Sequence, residues 1–123
     1  MQELNSFLKK YEQATNSHDF DNVAPLVAKN AVYWFSDGSR HDGINAVRKV
    51  FEKNFAKIQN ETYSIKNIKW LSATNNLAVC IYDFYWVGEI AGKKVSGNGR
   101  GTNVVGKVDG QWQMLHEHLS KKT

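Results

Sequence analysis

Leu4, Phe7, Leu8, Tyr11 and Ala14 recur at helical spacing, with Lys9, Lys10, Glu12 and Gln13 between them, so the chain is expected to begin with an amphipathic helix. After a break at Asn16-Ser17-His18, Asp19 or Asn22 can cap a short second helix carrying Val23, Leu26 and Val27. Pro25 fits best in a first turn, which favours the later start. Asn30 ends this helix, and Ala31-Val32-Tyr33-Trp34-Phe35 reads as a strand followed by a turn at Ser36 to Ser39. Asp42 then caps a third helix with Ile44, Val47, Phe51, Phe55 and Ile58 on one face and Arg48, Lys49, Glu52, Lys53 and Lys57 on the other.

From Asn60 onward the pattern is that of strands. Thr62 to Ser72 forms one, and its large residues switch faces between Tyr63/Ile65 and Ile68/Trp70, which predicts a bulge near Lys66-Asn67. Asn75-Asn76 turns into Leu77 to Val87, Ala91-Gly92 turns into Lys94 to Gly106, and Asp109-Gly110 turns into Trp112 to Leu119. Helices followed by a meander of long strands define an α+β protein, with three N-terminal helices covering one face of a strongly curved, mostly antiparallel sheet. Gly97, Gly99, Gly101 and Gly106 fall in one strand, where glycine marks bending or close approach. Their spacing is wrong for a phosphate loop, and no helix follows.

The strand Leu77 to Val87 is apolar on both faces, with Val79, Ile81, Tyr85 and Val87 on one and Ala78, Cys80, Tyr82, Phe84 and Trp86 on the other. Helices cover one side only, so a second copy of the sheet in a symmetric homodimer is the simplest cover for the other.

Composition narrows the function classes. The 123 residues fit one domain, 1–123, able to bury about two thirds of its unfolded surface. Net charge is +4, but the positive residues are mostly scattered lysines, with arginine only at Arg40, Arg48 and Arg100. Bidentate phosphate and base contacts favour arginine, and no nucleic-acid signature is present, so no nucleic-acid partner is expected. The single cysteine, Cys80, permits a reducing compartment and reads as a small buried hydrophobe. The N-terminal stretch lacks the apolar core of a signal peptide, and no apolar run could span a bilayer. A cytoplasmic protein without a membrane partner is expected.

His116 and His118 lie two apart with Glu117 between them, and on a strand such positions share a face. The pair can be packing, an acid/base pair or part of a metal site. A metal needs a third ligand, and His18 and His41 lie on distant loops, so neither a metal nor a cofactor is expected.

The stretches NSHDFDNVAPLVAKNAVYWF, HDGINAVRKVFEKNFAK and GTNVVGKVDGQWQMLHEHLS, in this element order, resemble the nuclear transport factor 2-like (cystatin-like) superfamily. The likeness is greatest to SnoaL-like proteins and to the association domain of calcium/calmodulin-dependent protein kinase II. The resemblance implies a cone-shaped pocket between helices and concave sheet, and dimerisation through the convex face. The superfamily includes ketosteroid isomerase, scytalone dehydratase, polyketide cyclases and non-catalytic proteins, so the fold leaves function open.

Pocket arginines of the association domain fall at positions matching Asp83, Asn103 and Leu119, and all three are replaced here. The catalytic tyrosine of ketosteroid isomerase matches Tyr11, its general base matches Phe35, and its second aspartate falls at or beside Asn103. With Asp83, Asn103 and Leu119 facing the pocket, period two adds Leu115 and Glu117, and turns His116 and His118 to the convex face with Trp112 and Met114. Asp83, within the apolar run IYDFYW, is either paired with a structural partner such as Arg100 or Lys69, or a pocket carboxylate suited to general-base work. The candidate catalytic set is therefore Tyr11, Asp83, Asn103 and Glu117, inside a wall of Trp34, Phe51, Phe55, Tyr85, Leu115 and Leu119. His116, His118 and Arg100 stand as alternatives.

The expected ligand is a small apolar or aromatic molecule. The expected chemistry is acid/base isomerisation, cyclisation or dehydration beside a carbonyl; the alternative is a non-catalytic ligand-binding or oligomer-assembly module.

Overall fold

The computed structural model describes residues 1–121. Helix α1 (Gln2–Asn16) buries Leu4, Phe7, Leu8 and Tyr11, the stripe its spacing predicts. Asp19, not Asn22, caps α2 (Phe20–Val23), accepting the Asp21 backbone N–H at 2.9 Å. Pro25 sits in a separate 3-10 turn, Ala24–Leu26, where its missing N–H costs nothing. The early stop lets strand β1 (Val27–Trp34) start at Val27 instead of Ala31. A short strand β2 (Arg40–Asp42) pairs back on β1, so Asp42 belongs to the sheet and does not cap the next helix. Gly43, at φ 86°, makes the corner into α3 (Ile44–Lys57), which buries Val47 and Phe51.

Strands β3 (Gln59–Ala73), β4 (Leu77–Ile90), β5 (Lys93–Val108) and β6 (Gln111–Lys121) follow. Each extends past its expected bounds, β4 at its C-terminal end only, because the side-chain pattern fades before backbone pairing does. The sheet runs β2-β1-β6-β5-β4-β3 and is antiparallel except where β1 meets β6. Both residues of the Ala91-Gly92 and Asp109-Gly110 turns have positive φ, the geometry that matches the twist of a tight hairpin. The predicted bulge in β3 is present: the register shifts between Lys66 and Lys69, and Asn67 takes φ 57°.

On β4 the buried positions are Ala78, Cys80, Tyr82 and Phe84, so the even-numbered residues form the concave, helix-covered face. Tyr82, Phe84 and Trp86 lie directly across from Gly101, Gly99 and Gly97 on β5. A Cβ at any of the three glycines would collide with the facing ring. The glycine alternation is therefore the space into which three aromatic rings fold.

A second bulge decides the orientation of the C-terminal strand. Val104 pairs with His116 and Val105 with Met114, leaving Leu115 as the extra residue. Period two therefore holds only on either side of it. Met114 is fully buried, and Trp112 reaches the α1 side to bond Glu3, so neither joins the histidines on the convex face as expected.

Candidate functional site

A cavity of about 250 Å³ opens between the helices and the concave sheet. Tyr11 and Thr15 come to it from α1, Phe51, Asn54 and Phe55 from α3, and Tyr63, Phe84, Trp86, Glu117 and Leu119 from the sheet. Phe35 with Ser36 and Asp37, just past β1, and Ile58 with Glu61, around the start of β3, complete the wall. Of the expected site residues, Tyr11, Glu117, Phe51, Phe55 and Leu119 are therefore brought together. Phe35 also lines the cavity, at the position the resemblance aligned with a general base.

Glu117 is the most deeply buried carboxyl on the cavity wall. It is 3% exposed, and its Oε1 accepts the Tyr11 hydroxyl at 3.2 Å and lies 3.5 Å from the Tyr82 hydroxyl. Both hydroxyls converge on one oxygen, which leaves Oε2 for a bound molecule. Burial pushes the carboxyl up to about 7, and the two phenols only partly offset that shift. Tyr33, fully buried on β1, places its hydroxyl 2.8 Å from that of Tyr11. Tyr63 also lines the cavity. Burial first, and the Glu117 charge second, hold all four phenols well above the usual range, so they remain neutral donors.

Asn103 is also fully buried, directly across the strand pair from Glu117. Its Oδ1 lies 3.0 Å from the Tyr82 hydroxyl, and its Nδ2 has no partner among the described residues. It holds the Tyr82 hydroxyl and is not part of the cavity wall.

Five more expected site residues lie elsewhere. Asp83 is odd-numbered on β4 and so faces the convex side, where Asn67 Nδ2 donates to it at 2.9 Å. Arg100 stands directly across from it and is exposed, so it too is outside the cavity. Tyr85 shares that face, with the Lys66 ammonium 5.6 Å from its ring centre. Trp34 is 39% exposed and packs edge-on against His116 and His118. Leu115, displaced by the bulge, lies over Gly106 and lines a separate surface depression with Val27 and Ile44.

The histidines do face the convex side, and His116 Nδ1 is 2.6 Å from the Val32 carbonyl. Among the described residues no group of three or more His, Cys, Asp or Glu side chains could hold a metal, and no helix is long and apolar enough to cross a membrane.

Tyr33, Tyr63 and Tyr82 were not among the expected site residues. Their signal is present in the pattern: each lies two residues from another inward side chain, and a buried phenol needs a partner for its hydroxyl. Several tyrosines on one concave face therefore require acceptors: Glu117 serves Tyr11 and Tyr82, and Tyr33 pairs with Tyr11.

Three helices against one curved, mostly antiparallel sheet, with a cavity between them, make this a cone-shaped nuclear transport factor 2-like fold. A model of the SnoaL-like domain matches residues 4–122, and the chain belongs to that family. A proposed aromatic ring hydroxylase from Novosphingobium aromaticivorans superposes with TM-score 0.89 at 17% identity, over 99% of this chain and 88% of its own. A proposed calcium/calmodulin-dependent protein kinase II association domain from Xanthomonas campestris gives 0.86 at 20% identity, over 98% and 86%. A proposed scytalone dehydratase from Novosphingobium aromaticivorans gives 0.88 at 17% identity, over 100% and 84%. At these identities the likeness is one of fold. No curated protein sequence matches significantly.

Proposed function

We propose that the cone binds a small apolar or aromatic carbonyl compound and moves a proton beside its carbonyl group, with Glu117 as the base. The observation that carries this reading is a buried carboxyl, pushed up to about 7, on the wall of an aromatic cavity. A base with that affinity for protons is half ionised near neutral pH, where general-base catalysis is most effective. In the step proposed, Glu117 takes the proton from the carbon beside the carbonyl, and the electron pair of the broken C–H bond moves onto the carbonyl oxygen. Neutral Glu117 no longer competes for the Tyr11 hydroxyl, which turns to the developing oxyanion while Tyr33 donates to Tyr11. Return of the proton at another carbon gives isomerisation; loss of a β-hydroxyl as water gives dehydration.

The test is deuterium exchange, followed by NMR in heavy water, on 2-cyclohexenone, 1-indanone and 2-tetralone. The native protein should accelerate exchange beside at least one carbonyl. Glu117→Gln should lose about a hundredfold or more, while Asp83→Asn, altered outside the cavity, should keep the native rate. Exchange that survives Glu117→Gln undiminished would remove Glu117 from the chemistry. A native protein that binds these ketones without accelerating exchange would support the non-catalytic binding module instead.

A further inference from the structure

Among the described residues, the cavity wall holds three ionisable carboxyl side chains, Asp37, Glu61 and Glu117, and no lysine, arginine or histidine. The chain as a whole carries sixteen Lys and Arg against twelve Asp and Glu. A pocket drawn at random from such a surface would have basic residues; this one has acids alone. The acids are also spread along the cavity. Glu117 lies buried among the tyrosines, Glu61 is half-buried at the start of β3, and Asp37 is exposed in the loop after β1. Asp37 is fixed as an anion, because its Oδ1 accepts the Ser39 backbone N–H at 2.9 Å and the Ser39 hydroxyl at 2.6 Å.

Between these carboxyls the wall is aromatic: Phe35, Phe51, Phe55, Tyr63, Phe84 and Trp86. Ring faces attract cations, and the attraction grows as water is excluded. Thr15 adds an independent polar feature: it lines the cavity, and its hydroxyl is buried with no hydrogen-bond partner among the described residues. That oxygen can accept from an ammonium N–H.

We propose that the cone selects an organic cation, an amine carried on an aromatic or alicyclic frame, and rejects carboxylates and phosphates of the same size. The inference rests on the reading of the cone as a ligand pocket and narrows the substrate to an amine-bearing member of the class named above. A cation there faces rings and carboxylates in a low-dielectric cleft, whereas an anion faces three like charges with no counter-charge on the wall.

The test uses three probes of one shape, benzylamine, benzyl alcohol and benzoate, titrated into the native protein by calorimetry at pH 8. Benzylamine should bind about tenfold or more tightly than benzyl alcohol, and benzoate should give no binding heat. Glu117→Gln should erase most of that preference while leaving benzyl alcohol affinity in place. Asp37→Asn, at an exposed position that does not threaten folding, should reduce the preference by a smaller factor. Benzyl alcohol or benzoate binding as well as benzylamine would overturn the cation selectivity and leave the pocket reading standing. A preference that persists unchanged in both variants would overturn its assignment to these carboxyls. Absence of binding by all three probes at millimolar concentration would overturn both this inference and the pocket reading.

Discussion

Glu117 ties function to stability in a measurable way. Its carboxyl is raised from 4.5 to about 7 by burial, so the folded chain holds this proton more tightly than the unfolded chain does. Below about pH 4.5 both states are protonated, and the residue imposes no penalty. Between there and pH 7 only the unfolded state gives up its proton, so stability falls as pH rises, by about 3 kcal/mol over the interval. Urea denaturation at pH 4.5 and pH 7.5 should show the native protein losing about that much more than Glu117→Gln across the window. Equal slopes for the two would mean that the carboxyl titrates normally and that the cavity is wetter than its lining implies. Glu117 was legible in advance because the family resemblance turns Leu119 toward the pocket, and strand alternation carries that direction two residues back to Glu117. Asp83 was not: both faces of its strand are apolar, so periodicity leaves the inward direction undetermined, and the family alignment supplied the wrong one. Cys80 shares the inner face, and burial pushes its thiol up to about 12, in keeping with a packing role.

Among the elements, β5 shows what the glycine alternation is for. Gly99 is the most constrained position, because an added methyl would meet the Ser120 carbonyl of the neighbouring strand as well as the Phe84 ring. A backbone atom in a paired strand cannot step aside as a side-chain tip can. Gly99→Ala should therefore cost about 1–3 kcal/mol in overpacking, read as a lowered urea midpoint with an unchanged slope. Gly110→Ala in the last hairpin turn meets no neighbouring atom, so its cost comes from the positive φ alone. If Gly99→Ala proves neutral, the aromatic–glycine pairing is not what shapes the sheet. Element order, the bulge in β3 and the three hairpin turns could be read from the chain because turn residues and alternation carry them. The bulge at Leu115 left no comparable mark, since Met114, Leu115 and the residues around them are acceptable on either face. The short strand β2 was hidden because Arg40-His41-Asp42 has the polarity of a loop, and only its pairing with β1 makes it a strand.

For the whole molecule, the convex face poses the remaining physical problem. Trp34, Leu77, Ile81 and Val87 are 39%, 48%, 38% and 55% exposed, and Trp34, Ile81 and Val87 lie on the side the helices do not cover. Trp34 is already braced by two imidazoles, and Asp83 stands across from Arg100 in the same surface. A broad sheet face with aromatic and aliphatic residues around a central opposed-charge pair has the composition of an interface core rather than of a solvated sheet. A twofold axis through such a face would set each apolar residue against its own copy and let the charged pairs cross over. We therefore expect a homodimer, with a light-scattering mass near twice the 14.0 kDa chain at micromolar concentration. Ile81→Asp adds a charge to that face without touching the cone, and should shift the mass toward the single chain while leaving far-ultraviolet circular dichroism unchanged. A native protein that scatters as a single chain at that concentration would leave this face to water, and the apolar character of its outer strands would then need another cause.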